Sequence, residues 1–264
     1  MNARAVWLSA TVGAALALGG ATGALRAQSP APPFALPPGI PFAVGESLSY
    51  SLKFGMIRVG SANMSVRGLT SVRGTDVVHT VFAITGGTFF FRVNDVMQSW
   101  VEPRVFASLR FWQDVNEGSY HAKRRYEVFP ERQKFTLGEQ PEQESVSAPL
   151  DDGSFIYFIR TQPLEVGATY TFDRYFDPGA NPVKIRVLRR ERVAVPAGTF
   201  DAIVVQPIIK TSGIFAEGGR AEIWFSDDPR RLMLQMKTKL NFGSLNLYLL
   251  NYRLATGGDM QGER

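Results

Sequence analysis

The chain has 264 residues, no cysteine and a formal net charge of +5, and 45% of its residues are hydrophobic. The lack of cysteine excludes disulfide bonds, thiol nucleophiles, thiolate metal sites and a lipid-modified cysteine in this chain. The basic excess is too small to indicate nucleic-acid binding, so no nucleic-acid partner is expected. Because no disulfide bond can form, the stability of the fold must come from a hydrophobic core.

The N-terminus has the pattern of a secretory signal peptide. Arg4 precedes an uncharged, mostly apolar stretch at 5–19, and small residues follow. We expect cleavage after Ala27, which makes residues 1–27 a signal peptide and the protein an exported, periplasmic one. No later segment reaches the run of about 18 apolar residues expected of a membrane helix, so no transmembrane segment is expected in the mature chain.

Prolines mark the segment that follows. Six of the sixteen prolines lie within residues 28–41. Such a stretch is extended and its backbone is solvated, which predicts a tether, with a proline-rich ligand for a partner as the alternative. The folded β domain is predicted at 42–254, followed by a disordered tail at 255–264.

Within the predicted domain, apolar and polar residues alternate one by one, which is typical of half-buried β-strands. In the first run, Leu48, Tyr50 and Leu52 share one face, while serines share the other. Turns rich in glycine, proline and aspartate separate the runs. The predicted strands span 46–54, 57–67, 75–85, 93–101, 105–113, 119–129, 133–137, 169–176, 183–195, 200–210, 220–226, 231–240 and 244–254.

The second predicted strand contains a phase shift. Val59 occupies an odd position, whereas Ala62 and Met64 occupy even ones. One inserted residue has this effect, so we predict a β-bulge at Gly60-Ser61, with Val59 and Ala62 both facing the core.

One segment near the middle of the chain lacks a period of two. Asp151 and Asp152 lie at its start and Arg160 at its end, an arrangement that the helix dipole favours. We predict a short helix from about Ser154 to about Thr161. Its apolar face carries Phe155, Phe158 and Ile159.

These elements predict a mainly β protein with a single large antiparallel sheet of about a dozen strands and one short helix. Open sheets of this width leave long unpaired edges, so we expect the sheet to curl into a half-open or closed barrel-like shape. Short connections favour a meander. The concave side of the sheet is the natural partner of the apolar helix face.

Few residue patterns indicate catalysis. The motifs HExxH, GxSxG, SxxK, GxGxxG and the P-loop are absent from the sequence. A zinc site would require the two isolated histidines, His79 and His121, to converge with a carboxylate, and the simpler interpretation is two ordinary strand residues. We therefore predict no catalytic, metal-ligating or cofactor-binding residues and no cofactor.

Two pairs of adjacent acids, Asp151-Asp152 and Asp227-Asp228, are the candidates for carboxylate chemistry. A glycosidase needs two carboxylates ~5–10 Å apart across a cleft, a geometry that adjacent residues do not define. A helix cap for the first pair and a turn for the second are the simpler interpretations.

Aromatic residues suggest a binding site more directly. Three consecutive phenylalanines follow Gly86-Gly87, and on a strand they cannot all face inward. At least one is expected at a rim or mouth, which together with the helix face gives a candidate apolar ligand entrance and lid; core packing is the alternative. The candidate residues are Phe89, Phe90, Phe91, Phe155, Phe158 and Ile159.

Basic residues at 121–126 and 184–192 are candidates for contact with an anionic partner. Strict alternation places four bases of the second stretch on one strand face. A solvated outer face is the ordinary interpretation, and a surface for anionic lipid or envelope polysaccharide is the functional one. These candidate bases are Lys184, Arg186, Arg190 and Arg192.

Four short motifs lie along the chain: V-G-E-x-L-x-Y at 44–50, D-G-S-F-x-Y-x-x-R at 152–160, V-P-A-G-T-F at 195–200 and I-W-F-S-D-D at 223–228. Their combination resembles the bacterial exported family called domain of unknown function 3108. The resemblance implies an envelope protein of β-rich fold with no established activity, and it supplies no catalytic residues. In outline such a fold is similar to that of periplasmic lipoprotein carriers, a likeness that does not establish function.

Three functional hypotheses follow. The first is a non-enzymatic periplasmic protein that binds a lipid or another amphipathic molecule in a concave apolar cavity. The second is a structural or interaction module of the cell envelope with a filled core, and the third is a carboxylate-based glycan hydrolase. A large continuous apolar cavity favours the first, a filled interior the second, and a polar cleft with facing acids the third.

Overall fold

The structure is a computed structural model that describes residues 36–87, 92–210, 221–240 and 243–254. Several predictions lie outside these residues: the signal peptide at 1–27, most of the tether at 28–41, the tail at 255–264, and Phe89, Phe90 and Phe91. They stay predictions.

The described strands form one antiparallel sheet. In chain order they are β1 Ser47–Phe54, β2 Ile57–Val72, β3 Thr75–Gly87, β4 Arg92–Glu102, β5 Ala107–Glu117, β6 Tyr120–Phe129, β7 Lys134–Leu137, β8 Gln143–Glu144, β9 Thr169–Phe172, β10 Val183–Val195, β11 Gly198–Ile208, β12 Glu222–Ser226, β13 Met233–Leu240 and β14 Gly243–Arg253. Their order in the sheet is β8-β7-β6-β5-β4-β3-β2-β1-β14-β13-β12-β11-β10-β9. The sheet therefore consists of two meanders joined where the first and last strands pair, and it does not close. The predicted fold class is confirmed.

Alternation along β1 produces the expected two faces. Leu48 and Tyr50 are fully buried and Leu52 is 2% exposed, whereas Ser47 and Ser49 on the other face are half-buried. The same alternation orients the neighbouring strands, so that one concave face of the sheet holds the main hydrophobic core.

A β-bulge lies in β2 close to the predicted position. β1 pairs Leu52 with Gly60 but Lys53 with Arg58, so Val59 is the inserted residue. The bulge is therefore one residue earlier than predicted. Val59 packs against the core, as the phase shift in the sequence indicated.

A second bulge changes the faces of β10. Arg186 pairs with Gln206 and Arg192 pairs with Asp201, because the register shifts around Leu188. Even and odd positions of β11 face opposite sides, so the prediction that the four candidate bases share one face is wrong. Their role as anionic-surface contacts remains a prediction. Lys184 and Arg186 lie on one face of the strand, and Arg190 and Arg192 lie on the opposite face.

The predicted helix is present as α1, Asp152–Arg160, and begins two residues earlier than expected. The Asp151 carboxylate accepts a hydrogen bond from the Ser154 backbone N–H at 2.8 Å, and the Ser154 hydroxyl oxygen accepts one from the Asp151 N–H at 2.8 Å. This capping box fixes the helix start. α1 packs against β3 and β4. Among the described residues, no helix has the length and hydropathy needed to span a bilayer.

α1 is buried on every side rather than on one face. Every residue from Gly153 to Arg160 is buried. This includes Ile156 and Tyr157, which lie outside the predicted apolar face. A helix that is apolar all round belongs in a protein interior. The chain after β9 helps to cover α1, because Tyr175 and Phe176 leave the sheet and pack into the core instead of extending the predicted strand.

Two glycines allow β2 and β3 to approach closely. Gly60 lies opposite Gly86. A Cβ atom on Gly60 would lie 2.3 Å from the carbonyl oxygen of Thr85 and 2.6 Å from the Cα of Gly86. Both obstacles are backbone atoms of a paired strand, so they cannot rotate away.

We expect Gly60→Ala to destabilise the fold by about 1–3 kcal/mol, because the added methyl group overpacks this strand pair. Gly68→Ala in the same strand is the matched control, since its Cβ would meet nothing within 4 Å. The control should be neutral or slightly stabilising. Urea unfolding measures both free energies, and equal effects would contradict the close approach.

Candidate functional site

A buried ion pair joins the start of β1 to the end of α1. The Arg160 Nη1 donates to Glu46 Oε1 at 2.6 Å, and the Arg160 Nη2 donates to Glu46 Oε2 at 2.9 Å. The Arg160 side chain is 0% exposed and that of Glu46 is 3% exposed. The planar guanidinium thus meets the carboxylate with two parallel hydrogen bonds, the strongest geometry for such a pair.

Arg160 also holds two segments that are distant in sequence. Its Nη2 donates to the carbonyl oxygen of Pro41 at 3.0 Å and to that of Arg230 at 2.9 Å. The guanidinium lies over the rings of Phe42 and Tyr157. Burial alone lowers the pKa of Arg160, but the hydrogen bonds and charge of Glu46 outweigh it and raise that pKa. The group therefore stays charged in the core.

The start of α1 carries a second buried charge site. The Asp151 carboxylate is fully buried and accepts hydrogen bonds from the hydroxyl groups of Ser99, at 2.6 Å, and Ser108. Burial raises the pKa of Asp151 to about 6, although the hydrogen bonds from Ser108, Ser154 and Ser99 oppose the shift. Asp151 is thus a helix cap tied to β4 and β5.

The adjacent acid has different partners. Asp152 accepts hydrogen bonds from the Tyr175 hydroxyl at 2.9 Å and from Gln113 Nε2 at 3.1 Å. Burial raises the pKa of Asp152 as well, and burial together with Asp152 raises the pKa of Tyr175 well above its usual value. The two carboxylates are thus held by separate sets of donors.

The second predicted acid pair lies in the turn between β12 and β13. Asp227 forms ion pairs with Arg190 at 2.7 Å and with Arg231 at 3.1 Å. Asp228 pairs with Arg230 at 2.5 Å. This is the turn role that the sequence indicated, and each carboxylate already has a basic partner.

The histidines lie on different strands, β3 and β6. The His79 ring stacks on Trp100 at 4.4 Å between centroids, and its Nε2 lies 3.0 Å from Gln98 Oε1. Burial lowers the pKa of His79. His121 Nδ1 lies 3.0 Å from Asn116 Oδ1. Within the described ranges, no group of three or more histidine, aspartate or glutamate residues is arranged to hold a metal ion.

Two cavities of the described residues bear on the hypothesis of an internal ligand. A cavity of about 10 Å³ lies between Phe42, Phe106 and Tyr157, close to the minimum for a single water molecule. A wider, open depression of about 280 Å³ lies along β14, β1, β2 and β3. Its lining is mixed: the polar residues are Ser49, Ser61, Asn63 and Thr85, and the others are Tyr50, Ala62, Ala83 and Leu250. The first is far too small for a lipid, and the second is open to solvent and lies just below the range of about 300–1,000 Å³ that ligand pockets occupy.

The candidate lid residues lie in the core. Phe155 and Ile159 are 0% exposed and Phe158 is 4% exposed. The Phe158 ring lies 5.7 Å from that of Phe106 and 5.1 Å from that of Phe172, between centroids. Their role as ligand contacts remains a prediction, as does that of Phe89 to Phe91 outside the described residues.

The sequence did not reveal the central pair. Glu46 and Arg160 both belong to motifs recognised above, but the motifs do not state that they meet. The available signal was a charged residue within otherwise apolar surroundings: Arg160 directly follows five consecutive apolar residues. Such a charge, once buried, needs a partner.

An open, barrel-like antiparallel sheet with its single α-helix in the core defines the class of protein that the described residues form. The chain belongs to the family described as "Protein of unknown function (DUF3108)", whose profile matches residues 49–250. The resemblance inferred from the motifs is confirmed. No curated protein matches the chain.

One solved structure supports the fold, and a second match is weaker. A beta-barrel-like protein of domain of unknown function DUF1849 from Brucella abortus matches with a TM-score of 0.55 and 11% identity, over 81% of this chain and 99% of that chain. The hypothetical protein CT021 from Chlamydia trachomatis matches with a TM-score of 0.37 and 9% identity, over 83% of this chain and 93% of that chain. At 11% identity the likeness to the Brucella abortus protein concerns the fold alone.

We expect Arg160→Leu to destabilise the fold by about 3–5 kcal/mol, because Glu46 would remain buried without its partner. Arg190→Leu is the matched control. Its side chain is 51% exposed in the pair with Asp227, so its loss should cost less than about 1 kcal/mol. Chemical denaturation of both variants checks this, and a small effect of Arg160→Leu would show that the pair is not a structural anchor.

Asp151 should make stability depend on pH. Its pKa is about 6 in the folded protein against 3.8 for the unpaired group, so between these values the folded state holds a proton that the unfolded chain has lost. Stability should therefore fall as the pH rises through this window, by at most about 1.4 kcal/mol per pH unit. Unfolding free energies of the protein and of Asp151→Asn, measured across this range, should differ in slope. Parallel curves would rule out Asp151 as the source.

Proposed function

We propose that this protein is an interaction module of the bacterial cell envelope, exported through its signal peptide, that acts through its outer surface. The supporting observation is the complete burial of α1 from Gly153 to Arg160 inside the curled sheet. The cavity beside this helix has a volume of about 10 Å³, far below the volume that an amphipathic ligand requires. Binding is therefore assigned to the outside of the molecule.

A carrier for a lipid would need α1 to leave the core. That movement would separate Arg160 from Glu46 and Asp151 from the two serines that donate to it. It would also strip Phe158 of its aromatic neighbours. Local opening uses segments with few buried contacts, and α1 is held at both ends and on all faces. A permanent core element fits these contacts better than a lid.

A hydrolase is supported less well. The candidate carboxylates are a helix cap, an acceptor for Tyr175 and Gln113, and two turn residues paired with arginines. A general acid and base must face the substrate from opposite sides of a cleft. The structural partners of these acids instead explain their presence.

Replacing one aromatic residue of the core distinguishes the interaction-module hypothesis from the carrier hypothesis. Phe158→Ala should cost about 3–5 kcal/mol of stability, as for a permanently packed ring. Neither this variant nor the parent should take up a fluorescent fatty acid from solution. Met56→Ala is the control for loss of an apolar side chain, because Met56 is 90% exposed. This control should change stability by less than about 0.5 kcal/mol.

The opposite result would establish a carrier. Phe158→Ala would then cost little stability and would alter fatty-acid uptake. Organic extraction of protein purified from the envelope, followed by mass spectrometry, supplies an independent measurement. A lipid recovered in stoichiometric amount would overturn the module.

A further inference from the structure

The tip of the hairpin formed by β1 and β2 is the most exposed apolar feature of the described chain. Met56 is 90% exposed and Ile57 is 70% exposed, the two largest values among the exposed large hydrophobic residues described. The last strand pair of the hairpin is Phe54 with Ile57, so Gly55 and Met56 form the turn itself. The two adjacent side chains therefore form an exposed apolar projection at this end of the sheet.

The tip is held in a defined shape. Gly55 has a φ of +57°, in the left-handed region that glycine adopts without strain. Its N–H donates to the carbonyl oxygen of Ser244 at 3.0 Å, which ties the turn to the start of β14. The apolar tip is therefore presented by the central strands of the sheet and does not fold back onto the core.

Two like charges lie directly behind the tip. Lys53 and Arg58 are paired across the hairpin, so their side chains project from the same face. Like charges in directly opposed positions destabilise a hairpin. Neither residue forms an ion pair with any residue that the structure describes. The Lys53 ammonium lies 5.2 Å from the centre of the Tyr248 ring, which does not neutralise it.

We propose that this hairpin tip, made of Lys53, Met56, Ile57 and Arg58, docks the protein on the anionic surface of a phospholipid bilayer. The inference rests on the proposed function, because it identifies the partner of the outer surface. The two apolar side chains enter the boundary between headgroups and acyl chains, while the two bases stay at the level of the phosphates. This arrangement relieves the repulsion between Lys53 and Arg58 only when an anionic surface is present.

The shape of the tip favours a bilayer over a protein partner. A stable protein interface buries about 800 Å² on each side, whereas a two-residue turn offers a narrow convex point. A bilayer accommodates such a point without a complementary pocket.

The matched control is the turn between β4 and β5, at the opposite ends of the strands. It also combines a base with an exposed apolar residue, because Arg104 is exposed and Val105 is 61% exposed. There the carboxylate of Glu102 accepts hydrogen bonds from the backbone N–H groups of both residues and supplies a negative charge. This turn should not bind an anionic surface.

The test is co-sedimentation of the processed protein, purified from the envelope fraction, with vesicles of phosphatidylethanolamine and phosphatidylglycerol. The unaltered protein should bind these vesicles, and bind vesicles of phosphatidylcholine alone far more weakly. Lys53→Gln with Arg58→Gln should weaken binding by about 30-fold. Met56→Ser with Ile57→Ser should weaken it by about tenfold or more. Arg104→Gln with Val105→Ser should bind as the unaltered protein does.

Thermal unfolding of each variant confirms that these exposed positions leave the fold intact. The proposal is overturned if the unaltered protein does not bind, if the tip variants bind as well as the control, or if a photo-crosslinker at position 56 captures a protein instead of lipid. If the bilayer proposal fails, the proposed interaction module still holds, but its partner is a different one. Failure of the module itself would appear separately, as fatty-acid uptake from solution that the tip variants do not change.

Discussion

The fold depends on the burial of one ion pair, Glu46 with Arg160. Removing two charges from water costs several kcal/mol for each ion, and the paired charge together with the hydrogen bonds of the two terminal nitrogens of Arg160 offsets that cost. The acceptors come from three places: Pro41, Glu46 directly before β1, and Arg230 in the turn after β12. Because all three must be in place together, this single guanidinium makes the docking of these segments on the end of α1 mutually dependent.

That dependence explains how an open sheet supports a closed core. A curled sheet without closure needs something to cover its concave face, and α1 does so with a polar anchor at each end, Asp151 and Arg160. The sheet ends in short strands, since β8 has two residues and β9 has four, and the pairing with β9 and β7 covers only part of β10 and β6. Short edge strands limit pairing with other chains. α1 and its two polar anchors thus take the place of sheet closure in covering the core.

The sequence predicted the elements well because alternation and capping are local properties. It could not predict which element Arg160 meets, since Glu46 lies 114 residues away and no local pattern encodes the contact. It located the β2 bulge to within one residue because Gly60 breaks the phase there. The β10 bulge at Leu188 has no glycine to mark it, so the faces of Arg190 and of the residues beyond it were assigned incorrectly.

Two arrangements of charged residues contrast in this structure: pairs of opposite charge within the fold, and two bases that face each other. In the core, Arg160 is paired with Glu46, and at the surface Arg190 is paired with Asp227. Lys53 and Arg58 are different, because the β1–β2 register itself brings them face to face. A rigid core tolerates such local cost, and residues that violate the rules of stability without benefit to the fold are expected where a protein meets its partner. The two opposed bases beside an apolar turn are therefore best explained by an external partner. That partner is negatively charged, and its surface is soft enough to accept a narrow apolar projection.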